Sequence, residues 1–222
     1  MTVARRARQD WQKEARRQEL LDAAESLFMS GDGSLPSVAA VAGRAGLAKG
    51  TVYLYFRTKE EIFLGLLEWR LAAWMADVRE ALAGAPVPPD PDALVDAVCR
   101  YLFAEPSVLA LASYGKSTLE TNVDMDRYVA FKRVMNDNLG KLGAEVHRLN
   151  PGLSVDAATR LLLHSYAFVV GLWQFTAASP ERRAAMEKAG ASALQLDFRT
   201  EVRRGLLALW RGTAAEALRV AD

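Results

Sequence analysis

Apolar residues recur along this chain at helical spacing from one end to the other. Leu20, Leu21, Ala24, Leu27 and Phe28 follow i, i+1, i+4, i+7, i+8, the pattern of one buried helix face. That helix is read from Arg17, and Ser30-Gly31-Asp32-Gly33 stops it. Ser37 is placed to cap a short second helix bearing Val38, Val41, Ala42 and Ala45. Gly46 follows as a turn residue that reaches positive φ at little cost. A third short helix is predicted over residues 48–56. Thr58 and Glu61 have capping-box spacing for a long fourth helix through Ile62, Leu66, Trp69, Ala73 and Ala76, ending near Ala83.

Four prolines between residues 85 and 91 break the pattern. Further helices are predicted over residues 92–103, 107–119, 125–149, 155–177 and 198–218, with a short one over 181–188. No stretch alternates with a period of two, so the expected fold class is all-α, without a sheet.

Composition narrows the function. Of 222 residues, 51% are hydrophobic and 25% charged, which excludes wholesale disorder. A net charge of +1 excludes a uniformly basic nucleic-acid coat. The charge is uneven, however. Residues 1–17 hold six bases (Arg5, Arg6, Arg8, Lys13, Arg16 and Arg17) against two acids. Residues 1–60 hold ten bases and seven acids; the remaining 162 hold 18 and 20. A basic end on a near-neutral body suggests a polyanion-binding tip, although a solvated terminus shows the same pattern. Cys99 is the lone cysteine, which fits a reducing compartment. The first 17 residues lack the apolar stretch of a secretory signal. The longest apolar run, residues 161–173, contains His164 and Ser165 and is shorter than the roughly 20 residues of a membrane span. The expectation is a soluble, cytoplasmic protein without a membrane partner.

Two short helices joined by a glycine-containing turn form a helix-turn-helix, whose second helix enters the major groove of DNA. At about 100° per residue, Val52 and Phe56 share one direction and should face the core. Gly50, Thr51 and Leu54 then point away, flanked by Lys49, Tyr53 and Tyr55. Gly50 lets the backbone approach DNA, Thr51 offers a hydroxyl and a methyl, and Leu54 suits a thymine methyl. Lys49 reaches a guanine edge or a phosphate. Tyr53, Tyr55 and Lys59 suit phosphate oxygens, which fix register.

The run Leu20-Leu-Asp-Ala-Ala-Glu-Ser-Leu-Phe28, the pairs Ser37-Val38 and Val41-Ala42, the run Arg44-Ala-Gly-Leu-Ala-Lys-Gly-Thr-Val-Tyr-Leu-Tyr-Phe56 and Lys59-Glu60 resemble the TetR family of bacterial transcriptional regulators. The resemblance covers residues 17–69; beyond it only length and helical character agree. It implies an all-α homodimer that binds a near-palindromic operator and is released by a small ligand. It also implies that Ser37, Lys49, Gly50, Thr51, Tyr53, Tyr55 and Lys59 match DNA-contacting positions. Some positions depart from the family pattern. Ala39 and Ala40 stand where many members are polar, Gly33 where an aromatic is common, and Leu54 where a polar or aromatic residue is usual. Ala48 replaces the Ser or Thr N-cap, a loss of about 1 kcal/mol. Specificity is therefore expected to lean on Lys49, Thr51, DNA shape and a minor-groove arm bearing Arg5, Arg6 and Arg8.

The expected organisation is a basic arm (residues 1–16), a three-helix helix-turn-helix domain (17–62), and a C-terminal helical bundle for ligand binding and dimerisation (63–222). Trp74, Phe103, Tyr114, Tyr128, Phe131, Met135, His164 and Phe168 are candidates to line an apolar ligand cavity, with Asn136 as a further polar fixture. Plain core packing explains the same residues. Residues 69–75 of the fourth helix are the expected lever between ligand and DNA. Tyr166, Gly171, Phe175, Val202, Leu206 and Trp210 are candidates for an intersubunit four-helix bundle. The expected partners are operator DNA, a small effector and a second copy of the chain. The alternative is a regulator whose C-terminal domain serves dimerisation or a protein partner without an effector.

Catalysis, metal and cofactor find no footing. His147, His164 and Cys99 are too few and scattered for zinc, and no Gly-x-Ser-x-Gly elbow occurs. Residues 43–50 miss a phosphate loop, because Ala48 stands where glycine is needed and Gly50 where Ser or Thr is needed.

Overall fold

The computed structural model describes the chain apart from Met1, Thr2, Asp32, Pro88 and Asp222, and apart from the side chains of residues 3–7, 9, 192 and 214–221. Ten α-helices are found among the described residues, and no strand. They are α1 (Val3–Ser30), α2 (Val38–Arg44), α3 (Lys49–Val52), α4 (Lys59–Ala83), α5 (Pro91–Ala104), α6 (Ser107–Ala112), α7 (Met125–Leu149), α8 (Val155–Thr176), α9 (Pro180–Lys188) and α10 (Phe198–Ala221).

The sequence-predicted elements are present with three corrections, of which the shortening of the helix predicted over residues 48–56 is described with the interface below. Residues 3–16 form the first turns of α1, where an arm was expected. They contain neither glycine nor proline, and the pairs Arg16–Glu19 and Arg17–Glu14 lie on the helix at i, i+3. The helix predicted over residues 107–119 instead ends at Ala112 and is followed by a π-turn, Gly115–Leu119. There the amides of Thr118 and Leu119 both reach the Tyr114 carbonyl.

The chain folds into two compact units. One comprises Met1–Arg70 with Ala110–Arg133; the other comprises Leu71–Leu109 with Val134–Asp222. The boundary read from sequence, between residues 62 and 63, falls inside α4. Helices α4, α6 and α7 each run from one unit into the other.

In the first unit α1 packs on α2, and α2 on α3. Leu20, Leu21, Ala24, Phe28, Val41, Phe63 and Leu66 are buried there. The ring of Phe28 lies 5.9 Å from that of Phe63 and 6.0 Å from that of Tyr114, so the returning segment closes over the α1 core. Tyr114 also donates its hydroxyl to the Gly33 carbonyl. A forked ion pair from Arg70 to Glu25, largely shielded from water, ties α4 to α1.

In the second unit α10 packs on α8 and α5. Val202, Leu206 and Trp210 are buried there, as are Leu161, Leu162 and Val169 of α8. The Trp210 indole donates to Ser165 Oγ at 2.9 Å, and that hydroxyl donates to the Leu161 carbonyl at 2.8 Å, so both buried polar groups are satisfied. Arg203 bridges Asp92 (2.8 Å) and Asp96 (3.1 Å) on α5, and Arg211 reaches Asp92 at 3.0 Å. Cys99 is buried in this unit, and desolvation, with the charge of Asp96, pushes its thiol up to about 12.

Candidate nucleic-acid interface

Ser37 starts the helix-turn-helix. Its backbone is extended and its Oγ accepts from the Ala40 amide at 3.2 Å, as the spacing predicts. Val41 and Ala42 bury the inner side of α2. Gly46 has φ +67°, and the Leu47 amide turns back to the Ala42 carbonyl at 2.9 Å. A side chain at Gly46 would be strained in that turn.

The nine-residue rod expected from Ala48 is shorter. Only Lys49–Val52 is α-helical, followed by tight turns through Tyr55. Ala48 has no side-chain acceptor to cap the helix, Gly50 is a poor helix former, and Thr51, Val52, Tyr53 and Tyr55 are β-branched or aromatic. The facing of the side chains nevertheless follows the prediction. Val52 and Phe56 are buried, and the Arg17 guanidinium lies 5.3 Å from the Phe56 ring centre. Leu54 is 75% exposed. Lys49, Gly50, Tyr53, Lys59 and Ser37 are exposed, and Thr51 and Tyr55 half-buried. A Cβ built on Gly50 meets nothing within 4 Å, so the backbone there presents an open face.

The capping box of α4 forms in the predicted register on its Thr58 side, and only the return bond from Glu61 falls one residue early. The Glu61 amide donates to Thr58 Oγ1 at 3.1 Å, while the Glu61 carboxylate receives the Arg57 amide. Arg57 also pairs through its guanidinium with Asp124, 67 positions away in sequence. Asp124 precedes α7 and accepts from the Arg127 amide at 2.8 Å. That hydrogen bond, joined by the Arg57 charge, holds the Asp124 carboxyl below its ordinary value. Tyr53, Leu54, Tyr55, Arg57, Asp124 and Asp126 line a groove of about 350 Å³ within the first unit. Periodicity did not single out Arg57 or Asp124. Asp124 was recognisable only as a cap before residue 125; its pairing with Arg57 requires the fold.

Arg8 is exposed, and the side chains of Arg5 and Arg6 lie outside the described residues. The ligand-cavity candidates divide between the two units. Tyr114 and Tyr128 are half-buried and Phe131 buried in the first, with Lys132 Nζ 5.1 Å from the Phe131 ring centre. In the second, Trp74 is buried and donates to the Val98 carbonyl at 2.9 Å. Phe103 lies under the Arg199 guanidinium at 4.6 Å, and Met135 is half-buried. His164 is exposed, which corrects its reading as a residue lining an apolar cavity. Helical stepping puts it about 60° from Leu161 and about 100° from Ser165, at the edge of the buried stripe where the side chain reaches solvent. Asn136 is exposed as well. A cavity of about 170 Å³ in the second unit is lined by Pro91, Leu94, Asn150, Leu153, Leu161 and Trp210, and by none of these candidates.

The dimer candidates divide as well. Gly171 and Phe175 are exposed, the latter at 58%, together with Leu163 and Phe168 on α8. Tyr166 is half-buried, 6.3 Å from the Trp74 ring. Val202, Leu206 and Trp210 are corrected to core residues, because they are buried within the protomer. Helix α8 is also long and apolar enough, by length and composition, to cross a membrane.

Comparison with known proteins bears on both halves of the chain. Residues 20–66 match the family described as bacterial regulatory proteins, tetR family, and residues 68–217 match the tetracyclin repressor-like C-terminal domain. The fatty acid metabolism regulator protein of Bacillus subtilis is 24% identical over 165 residues, covering 73% of this chain and 85% of the relative. A TetR-family transcriptional regulator from Streptomyces coelicolor superposes with TM-score 0.55 at 20% identity, covering 89% of this chain and 99% of the other. The transcriptional regulator FadR from Bacillus subtilis, crystallised in complex with stearoyl-CoA, superposes with TM-score 0.54 at 17% identity, covering 86% of this chain and 96% of the other.

Proposed function

The chain belongs to the TetR family of bacterial regulatory proteins, and on that premise we propose that it is a homodimeric repressor of a near-palindromic operator, released by a small, largely apolar or aromatic ligand. The observation that carries the DNA-binding half is the split of one short segment. Val52 and Phe56 anchor it, while Lys49, Gly50, Tyr53 and Leu54 face outward. Base readout falls to Lys49, Thr51 and Leu54 across the open backbone of Gly50. Ser37, Tyr53, Tyr55 and Lys59 fix register on phosphates, and the basic turns of α1 add attraction that salt weakens.

The exposed apolar side chains Leu163, Phe168 and Phe175, with Gly171 among them, supply the face for a second copy. A twofold pair sets two recognition segments at a fixed spacing, about 34 Å where they read successive turns of the same groove. The stearoyl-CoA bound to the Bacillus subtilis neighbour makes acyl thioesters the first ligand class to assay. The ligand acts by population shift, binding better to a dimer whose recognition segments are wrongly spaced. Operator DNA must then weaken ligand binding by the same factor.

Selection of genomic fragments by the purified dimer at low salt, read by sequencing, tests the reading. It expects one enriched near-palindrome, retarded in gels and released by an acyl thioester. Failure to retain any fragment overturns it. Binding that no acyl thioester or aromatic acid alters in gel or thermal-shift assays favours a C-terminal domain that only dimerises.

A further inference from the structure

The geometry points to Arg57 as an additional phosphate contact that Asp124 holds in reserve, so that the start of α7 restrains DNA affinity directly. This rests on the DNA-binding reading and goes beyond it, because neither residue belongs to the helix-turn-helix pattern.

Arg57 leaves the recognition segment one residue after the buried Phe56. It lines the same groove as Tyr53, Leu54 and Tyr55. Its side chain is 78% exposed, and its amide is fixed by Glu61 in the capping box. Its position is therefore set while its guanidinium remains accessible. A planar guanidinium pairs with a phosphate in the same forked manner as with a carboxylate. Asp124 thus occupies the place a backbone phosphate would take, and Asp126 lines the groove beside it.

Cations are few here. Residues 48–60 contain Lys49, Arg57 and Lys59. Lys59 already has Glu60 at 3.9 Å and Arg57 has Asp124. Releasing Arg57 would change the phosphate contacts of this surface by a large fraction. The pair also joins the two family-matched halves of the sequence, since Arg57 lies within residues 20–66 and Asp124 within 68–217.

The test is Asp124→Asn in the full-length protein. Asparagine caps a helix as well as aspartate, so α7 keeps its start, which accepts the Arg127 amide. Binding is read by fluorescence anisotropy on a labelled 30-base-pair duplex of mixed sequence across a salt series. Asp124→Asn is expected to tighten binding about three- to tenfold at low salt. The slope of log K against log salt should steepen by about 0.9 for each protomer on the duplex. Arg57→Gln alone should change affinity less than about twofold, yet it should abolish the gain when added to Asp124→Asn. An unchanged affinity and slope in Asp124→Asn overturns the inference. So does a gain that survives in the double variant, which would mark general charge repulsion. A wild-type chain that binds no duplex defeats the DNA-binding reading itself, and is thereby told apart from failure of the Arg57 assignment.

Discussion

Val52 and Leu54 stand two residues apart on opposite sides of the recognition segment, and truncating each should have opposite consequences. Val52 is fully buried and Leu54 is 75% exposed. Val52→Ala removes two carbons at about 0.8 kcal/mol each, and the residual cavity raises the total to about 2–3 kcal/mol. For a chain of this size that lowers Tm by roughly 4–12 °C. Leu54→Ala removes side chain already in water and should stay within about 0.5 kcal/mol of wild type. Operator affinity should move the other way round. At a temperature where both variants are folded, Leu54→Ala should lose roughly three- to tenfold, less than a bidentate base contact would cost. Its affinity for mixed-sequence DNA should be unchanged. The assays are thermal melting by circular dichroism and anisotropy on the selected operator. A Leu54→Ala chain that melts early, or that binds operator at full strength, would refute the assignment of this face to DNA.

Other consequences are testable in the same way. The Phe168 ring lies against Gly205, so a Cβ there must displace it, and Gly205→Ala and Phe168→Leu should couple by about 1–3 kcal/mol in a double-mutant cycle; strict additivity would show that the ring does not rest on that glycine. Arg203, foremost by hydrogen bonding, and Arg211 hold the Asp92 carboxyl below its ordinary 3.8. The carboxylate is charged in the native state down to that lowered value, so its stabilisation is complete above the unfolded value and lost as pH falls through the folded one. Asp92→Asn should therefore flatten the fall of Tm below about pH 4, and parallel curves would show that the pairing contributes nothing. Phe175→Asp should convert a dimer to a monomer in light scattering at micromolar concentration with its circular dichroism unchanged; a retained dimer mass would place the interface elsewhere.

The recognition segment was largely legible in the sequence because its determinants are local. Ser37, Gly46, Thr58 and Glu61 act within a few residues of themselves, and the opposed facing of Val52 and Leu54 follows from helical stepping alone. The short extent of α3 was legible in principle, since the missing cap at Ala48 and the β-branched and aromatic run after it both weaken a helix. Periodicity could not tell whether an apolar stripe meets its own chain or another copy. Val202, Leu206 and Trp210 make a regular stripe on α10, yet α5 and α8 of the same protomer provide its neighbours. His164 misled for the converse reason, because its apolar neighbours in sequence point in other directions on the helix. The Arg57–Asp124 pair spans 67 positions, and no local rule reaches that far.

The return of residues 110–133 to the first unit matters for anyone grafting this DNA reader onto a foreign sensor. A cut after residue 66, where the family match ends, would strand the Phe28 ring without Tyr114 and leave Arg57 without Asp124. The transferable cassette is instead the first 70 residues plus that inner segment. Its seams fall within helices α4, α6 and α7, so a functional hybrid needs three in-phase helical splices and not one fusion point.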